Sequence, residues 1–304
     1  MDVPMRDLSF DPAQTPGLSE RLLRSHHQNN YGGAVKRLGA IRRQLAELPF
    51  AETPDYALNG LKREELVAAN SMLLHELYFD SLGGAGQEMV PAMALALSAS
   101  FGSVTRWRDE FVAMGRALGG GSGWVLLSWL PREARLLNQW AADHTHGLAG
   151  ATPILALDMY EHAYHLDHGA QAGAYVDAFM ANVAWARVYE RYQQAIHRAS
   201  EGLAADPQRL DAALLLDVRR AAVFEQARSM LPGARWRDPA EVDRWAAELA
   251  RDREVVVYCV HGHEVGRATA LRLRAAGVRA SFLFGGIDAW TRAGRPLQPK
   301  EDAS

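Results

Sequence analysis

The hydrophobic pattern of this chain changes at about residue 206, and that change limits the possible folds more than any single motif does. Before it, apolar residues recur mainly at helical spacing; after it, short apolar runs alternate with amphipathic stretches. A 304-residue chain patterned this way asks for two units, each large enough to bury a core of its own. Segment 202–208 carries Gly, Asp and Pro without a run apolar enough to need burial, so it reads as the linker.

The first unit reads as α+β. Helical periodicity over 18–48 and again over 61–82, with a Pro, Asn and Gly-containing connection between, predicts a helical hairpin. Helical spacing returns over 90–118, broken at Phe101-Gly102-Ser103 and stopped by the glycines of 119–123. Strands are expected at 124–130, 134–142 and 153–157, a small antiparallel sheet, and one long closing helix at 177–200. Beyond the linker, strands at 214–216, 255–258 and 280–284 alternate with helices at 239–250 and 264–276, the pattern of a small α/β unit with a parallel sheet. The expected boundaries are therefore 1–85 for the hairpin, 86–203 for the α/β part of the first domain and 204–304 for the last domain.

Composition removes several classes. No apolar run approaches the roughly 20 residues that cross a bilayer, and the first eleven residues hold acids and no signal-peptide core, so no membrane role and a cytoplasmic location are expected. The single cysteine, Cys259, cannot form an internal disulfide. Net charge is −3, with 16 basic and 14 acidic groups from Asp206 onward, which is not the balance of a nucleic-acid binder.

Most of the eleven histidines fall in three clusters: His26-His27, His75, and the segments Asp143 to His146 and Asp158 to His165. His26 and His75 belong to the two arms of the hairpin and could face each other. Asp158 and His162 follow the end of an apolar run. Three imidazoles and a carboxylate suit a transition metal that keeps an open position.

The segment Asp158-Met159-Tyr160-Glu161-His162-Ala163-Tyr164 resembles the signature of the iron/manganese superoxide dismutases. The His26-His27 helix with Val35 and Leu38, His75 with Tyr78 and Phe79, and Gly121-Ser122-Gly123-Trp124 resemble the same family in order and spacing, over roughly residues 10 to 200. The resemblance implies disproportionation of superoxide to oxygen and hydrogen peroxide, a role in oxidant removal. It implies one iron or manganese ion per chain with His26, His75, Asp158 and His162 as ligands, and Trp124 and Tyr160 as pocket walls. A side chain that hydrogen-bonds the solvent at the open position tunes such a centre. Most relatives use Gln there; here the role falls on His144, with His146 as the alternate.

The entrance departs from the family pattern. Counted without gaps from His26, the usual gate positions fall on Asn30 and Ala34, with Tyr31 close by; a shifted alignment gives His27 and Tyr31 but leaves Leu23 as a ligand. His165 stands where Tyr is common, and Tyr160 where Trp is common. Glu161, by resemblance, bonds the ligand histidine of a second subunit, which implies a homodimer or a dimer of dimers through Glu161 and His162.

In the last domain, Val255-Val256-Val257-Tyr258-Cys259 puts a thiol at a strand end and before a helix, where backbone amides favour a thiolate or an anion. Leu216-Asp217-Val218-Arg219, Leu231-Pro232-Gly233-Ala234, the Cys259 loop and Leu283-Phe284-Gly285-Gly286-Ile287-Asp288-Ala289-Trp290 resemble a single rhodanese domain over about 208–299. That implies a persulfide-forming Cys259, a sulfur donor or acceptor as partner, and Asp217 and Arg219 as braces. The loop offers Val260 and Glu264 where basic or hydroxyl residues are usual, so thiosulfate is expected to be a poor donor.

Two readings follow. One is a superoxide dismutase with an appended rhodanese-like domain. The other is a metal-binding or dimerisation scaffold of low dismutase activity whose main work is sulfur transfer or redox sensing through Cys259. A metal hydrolase at the same histidines would need a general base that Glu161, turned to a partner subunit, would not supply.

Overall fold

The residues described by the computed structural model are 4–210 and 212–300. The first arm of the hairpin starts at α1 (Glu20–Ser25), where the Ser19 hydroxyl accepts from Leu22 N in the way that N-caps satisfy a helix start. It continues through a π-helical stretch, His26–Tyr31, into α2 (Gly32–Ala46). The extra residue per turn of a π segment changes which side chains face the second arm, a common device at functional sites. That arm is α3 (Asp55–Asp80), which starts six residues before the expected 61.

Helices α4 (Pro91–Phe101) and α5 (Val104–Ala117) meet at Gly102, whose φ of 87° ends α4 in the left-handed region. Strands β1 (Trp124–Leu130), β2 (Arg135–Ala141) and β3 (Thr152–Asp158) form a sheet in the order β2-β1-β3. The tight turn between β1 and β2 makes them antiparallel, and Met159 N donating to Gly123 O sets the end of β3 beside the start of β1. Gly123 has φ 137°, and a Cβ there would lie 2.2 Å from Ala141 O, so glycine is required at this corner.

After a short 3₁₀ turn at Glu161–Ala163 come α6 (His165–His168), α7 (Ala172–Ala181) and α8 (Trp185–Ala199). The single closing helix expected at 177–200 is thus two helices. Asn182, fully buried, ends α7 because its amide donates to Pro16 O and Ala178 O.

The linker expected at 202–208 contains a strand, β4 (Ala204–Ala205), which pairs in parallel with residues Phe282 and Leu283. Two alanines give no apolar signal, so only the pairing reveals it. The remaining elements are β5 (Leu214–Asp217), α9 (Ala221–Glu225), β6 (Ser229–Met230), β7 (Arg235–Trp236), α10 (Val242–Trp245), β8 (Val255–Tyr258), α11 (Glu264–Ala275), β9 (Ala280–Leu283), α12 (Gly286–Arg292) and β10 (Gln298–Pro299). The sheet β4-β9-β8-β5-β7 is parallel throughout. The helix expected at 239–250 is three short turns, of which α10 alone is α-helical.

By packing, the chain divides into one unit of residues up to Met89, Thr105–Ser128 and Asn138–Val188, and a second of Val90–Val104, Trp129–Leu137 and residues from Tyr189 onward. This division follows contacts and cuts across the sequence boundaries at 85 and 203. In the second unit β8 is buried on both faces, as parallel strands are. Val255 and Val257 pack with Leu216, Trp245 and Leu273 on one side, while Val256 and Tyr258 pack with Phe224, Leu231 and Ile287 on the other. No described helix is long and apolar enough to cross a membrane.

Candidate metal centre

The π-helical stretch, α3, the end of β3 and the following 3₁₀ turn each deliver one side chain to the same point. Nε2 of His26 lies 3.1 Å, Nε2 of His162 3.2 Å and Nε2 of His75 3.5 Å from Oδ2 of Asp158, and the two nitrogens of His75 and His162 are 3.4 Å apart. All four donor atoms lie within 4.8 Å of one another. His26, His75 and Asp158 are buried, while the side chain of His162 is 26 % exposed.

The chemistry of this donor set fits iron or manganese. Burial holds His26 below the ordinary histidine pKa and pushes His75 down to about 3, so both rings are neutral with a lone pair to give. Burial alone would raise Asp158, yet its interactions with His162 and His26 hold it far below the usual carboxylate range. The His75 tautomer is set one helical turn back, where its Nδ1–H donates to Ser71 O at 2.6 Å and leaves Nε2 free. Nδ1 of His26 is buried without a partner among the described residues. Neutral nitrogens and an ionised carboxylate are the ligands a divalent or trivalent ion of this class takes.

Aromatic rings enclose the point. Trp124, fully buried, stands edge-on to His75 at 5.3 Å. Tyr160 stacks on His144 at 4.8 Å and 12° and on His162 at 5.3 Å and 13°. Burial pushes the Tyr160 hydroxyl up to about 12, so it stays protonated. Phe79 and Tyr78 pack on His26 at 4.9 and 5.1 Å.

His144 sits in the same cluster, its ring 6.2 Å from that of His75. The Trp124 indole N–H donates to its Nδ1 at 3.0 Å, which places the ring proton on Nε2. Burial lowers its pKa, so the ring is a neutral donor. His146 is turned elsewhere: its Nδ1 accepts from Ala142 N at 3.2 Å, and Trp140 stacks on it.

Tyr31 is one ring removed from the ligands. It packs on His27 and Phe79, and its hydroxyl accepts from Arg6 N at 2.8 Å and donates to Glu76 at 3.0 Å. His27 donates to Arg6 O at 2.8 Å. Asn30 is half-buried in the π-helical stretch and Ala34 is buried. Glu161 is exposed beside the partly exposed His162.

Three further residues support the cluster. Ser71 orients His75, Asn70 donates to the His144 carbonyl at 2.5 Å, and the Tyr175 hydroxyl donates to Asp158 O at 2.7 Å. Ser71 stands out in the sequence by its place one helical turn before His75; Asn70 and Tyr175 escaped sequence reading, because their bonds join segments apart in sequence.

In the second unit, Cys259 directly follows β8 and is 6 % exposed. Burial pushes its thiol up, and hydrogen bonds from the Gly266, Gly262 and His263 amides pull it back. Gly262 has φ 67°, and a Cβ there would lie 2.5 Å from Gly285 N, so the loop closes only on glycine. Asp217 and Arg219 brace the strand ends: the Arg219 Nε donates to both carboxylate oxygens, and the Tyr258 hydroxyl donates to Asp217 at 2.9 Å.

Comparison with known proteins finds matches to two regions of the chain. Residues 89–191 match the iron/manganese superoxide dismutases, C-terminal domain, and residues 200–293 match the rhodanese-like domain. The chain is 62 % identical over 192 residues to an iron superoxide dismutase of Cupriavidus metallidurans, covering 63 % of this chain and 97 % of that protein. It is 36 % identical over 200 residues to a manganese superoxide dismutase of Halobacterium salinarum, covering 65 % and 97 %. An iron superoxide dismutase of Aquifex pyrophilus is 32 % identical over 200 residues, covering 63 % and 92 %. The chain therefore belongs to the iron/manganese superoxide dismutase family. It carries a rhodanese-like domain after the dismutase part.

Proposed function

We propose that this chain disproportionates superoxide at one iron or manganese ion held by His26, His75, Asp158 and His162. The observation that carries the reading is the convergence of four buried or half-buried donor atoms within 4.8 Å, three of them imidazole nitrogens. Iron is assigned first, because the relative at 62 % identity is named as an iron enzyme.

When bound, the ion supplies a one-electron couple that oxidises one superoxide and reduces the next. The chain does the rest. Trp124 and Tyr160 exclude bulk water from the pocket, and Nε2–H of His144 presents a proton donor toward it. Proton delivery to the peroxide product runs through that imidazole, held neutral by burial. Asn30 and Tyr31 take the gate roles that the resemblance implies, Tyr31 acting through its packing on Phe79. Glu161 and the partly exposed His162 face a second copy in a homodimer or dimer of dimers. A cytoplasmic setting accords with the lone unpaired Cys259.

The test is metal content and dismutation rate after separate reconstitution with iron and manganese. About one ion per chain with activity, lost in His75→Ala and Asp158→Ala, is expected. Zinc or no metal, with no activity in either preparation, overturns the reading.

A second activity has its own observation, the position of Cys259 between the end of β8 and the start of α11, lining a cavity. We infer that Cys259 accepts sulfane sulfur as a persulfide. Transfer of one sulfur to Cys259 from any donor, absent in Cys259→Ser, is the measurement.

A further inference from the structure

The Cys259 thiol opens on a cavity of about 440 Å³ whose polar lining is Tyr189, Arg219, Arg220, His261, His263 and Glu264. Arg219 is bound by Asp217, His261 lies 2.6 Å from Asp288, and the His263 ring lies against that of His261 at 5.5 Å. Glu264 and Arg220 have no oppositely charged partner among the described residues. Glu264, the first residue of α11, is 7 % exposed, and its carboxylate accepts from Gln193 at 3.0 Å and from the Tyr189 hydroxyl, both neutral donors. Among the described residues no Lys, Arg or His forms an ion pair with it. Arg220 is half-buried at the cavity wall and likewise has no carboxylate partner among the described residues.

A buried carboxylate without a counter-charge is costly, and the cost falls when a ligand brings a cation to it. A dianion such as thiosulfate brings the opposite. The free guanidinium of Arg220 suits a carboxylate. One cavity thus offers a sulfur acceptor, an anionic subsite and a cationic subsite.

We propose that the sulfur donor of Cys259 is an amino-acid-type persulfide, a zwitterion whose ammonium group meets Glu264 and whose carboxylate meets Arg220. This rests on the reading of Cys259 as a sulfur acceptor. Sγ attacks the terminal sulfur of the donor R–S–SH. The new Sγ–S bond forms as the donor S–S bond breaks, its electron pair leaving on R–S⁻, which takes the proton given up by the Cys259 thiol. The net change, Cys–SH with R–S–SH giving Cys–S–SH with R–SH, needs no oxidant or reductant.

The experiment compares four donors on the full chain: cysteine persulfide, N-acetylcysteine persulfide without the ammonium, cysteamine persulfide without the carboxylate, and thiosulfate. Loading of Cys259 is followed by intact mass, with the second-order rate constant of loading as the readout. Cysteine persulfide is expected to lead each of the others by about tenfold or more, the scale of one lost charged contact. Glu264→Gln, which keeps the shape and the bonds to Gln193 and Tyr189, is expected to erase the advantage over N-acetylcysteine persulfide. Arg220→Gln is expected to erase the advantage over cysteamine persulfide. Equal rates for the three persulfides, or thiosulfate as the fastest donor, overturns the zwitterion assignment while leaving sulfur transfer standing. No loading by any donor overturns both. Because the donor series is run on the unaltered protein, the result does not depend on either variant folding.

Discussion

The indole N–H of Trp124 donates to Nδ1 of His144 at 3.0 Å, and this bond decides which ring nitrogen of His144 carries the proton. Trp124 is fixed at the corner that Gly123 makes, and Asn70 holds the His144 backbone, so the imidazole is aimed from two sides. Removing the aimed donor should lower turnover without emptying the site. His144→Ala is expected to reduce the dismutation rate about 10–100-fold at unchanged metal content, the usual cost of losing a group that orients a metal site. His144→Gln, which restores a donor, should recover much of that rate. Equal rates in the wild type and His144→Ala would remove His144 from the proton path.

Tyr31 gives a different expectation, because its hydroxyl is spent on Arg6 N and on Glu76, whose side chain is only 8 % exposed. Tyr31→Phe leaves a nearly buried carboxylate with one donor fewer, which costs about 1–3 kcal/mol of stability. Denaturant unfolding of the two proteins reads this directly. The dismutation rate should fall less than in His144→Ala; a larger fall would put the phenol itself in the reaction.

Much of the metal centre was legible from sequence because its ligands sit in short local patterns. Asp158 and His162 lie four apart, and His75 with Tyr78 and Phe79 occupies one helix face. The illegible parts depend on pairings that local pattern does not carry. The π-helical register that brings His26 and Tyr31 to their places gives no hydrophobic signature, since His, Gln, Asn and Tyr fill it. Asn182 reads as a mid-helix polar residue until Pro16 O is known to accept from it. Strand β4 is two alanines whose only mark is pairing with Phe282 and Leu283. Glu264 stood out by its charge, but Gln193 and Tyr189, some seventy residues earlier, make it a buried group.

The pH dependence of the metal-free protein follows from the buried histidine. In the unfolded chain His75 binds its proton at about 6.5, whereas in the fold burial pushes it down to about 3. Between those values the unfolded state holds more protons, so stability is fully present above about 6.5 and is lost progressively as pH falls toward 3. His26, lowered by burial, acts in the same sense, and Asp158 adds a further loss once pH drops below the ordinary carboxylate range. The melting temperature of metal-free protein should therefore fall steadily from neutral pH into the acid range. In Asp158→Asn the carboxylate contribution disappears and the steepest acid end should flatten. A flat or rising profile on acidification would contradict the neutral state of these rings.

Cys259 should be a slow thiol at neutral pH. Burial raises its pKa above the ordinary value of 9.0, and the Gly266, Gly262 and His263 amides offset that only in part. The reactive species is the thiolate, so the rate of alkylation by iodoacetamide should climb as pH passes 9.0 rather than level off near neutrality. Cys259 is the single cysteine of the chain, which makes every alkylated molecule a direct count of this site. Glu264 contributes to the raised value through its charge, so Glu264→Gln should move the alkylation profile toward lower pH. A profile already flat at neutral pH in the wild type would mean that the loop amides outweigh burial and that the resting group is a thiolate.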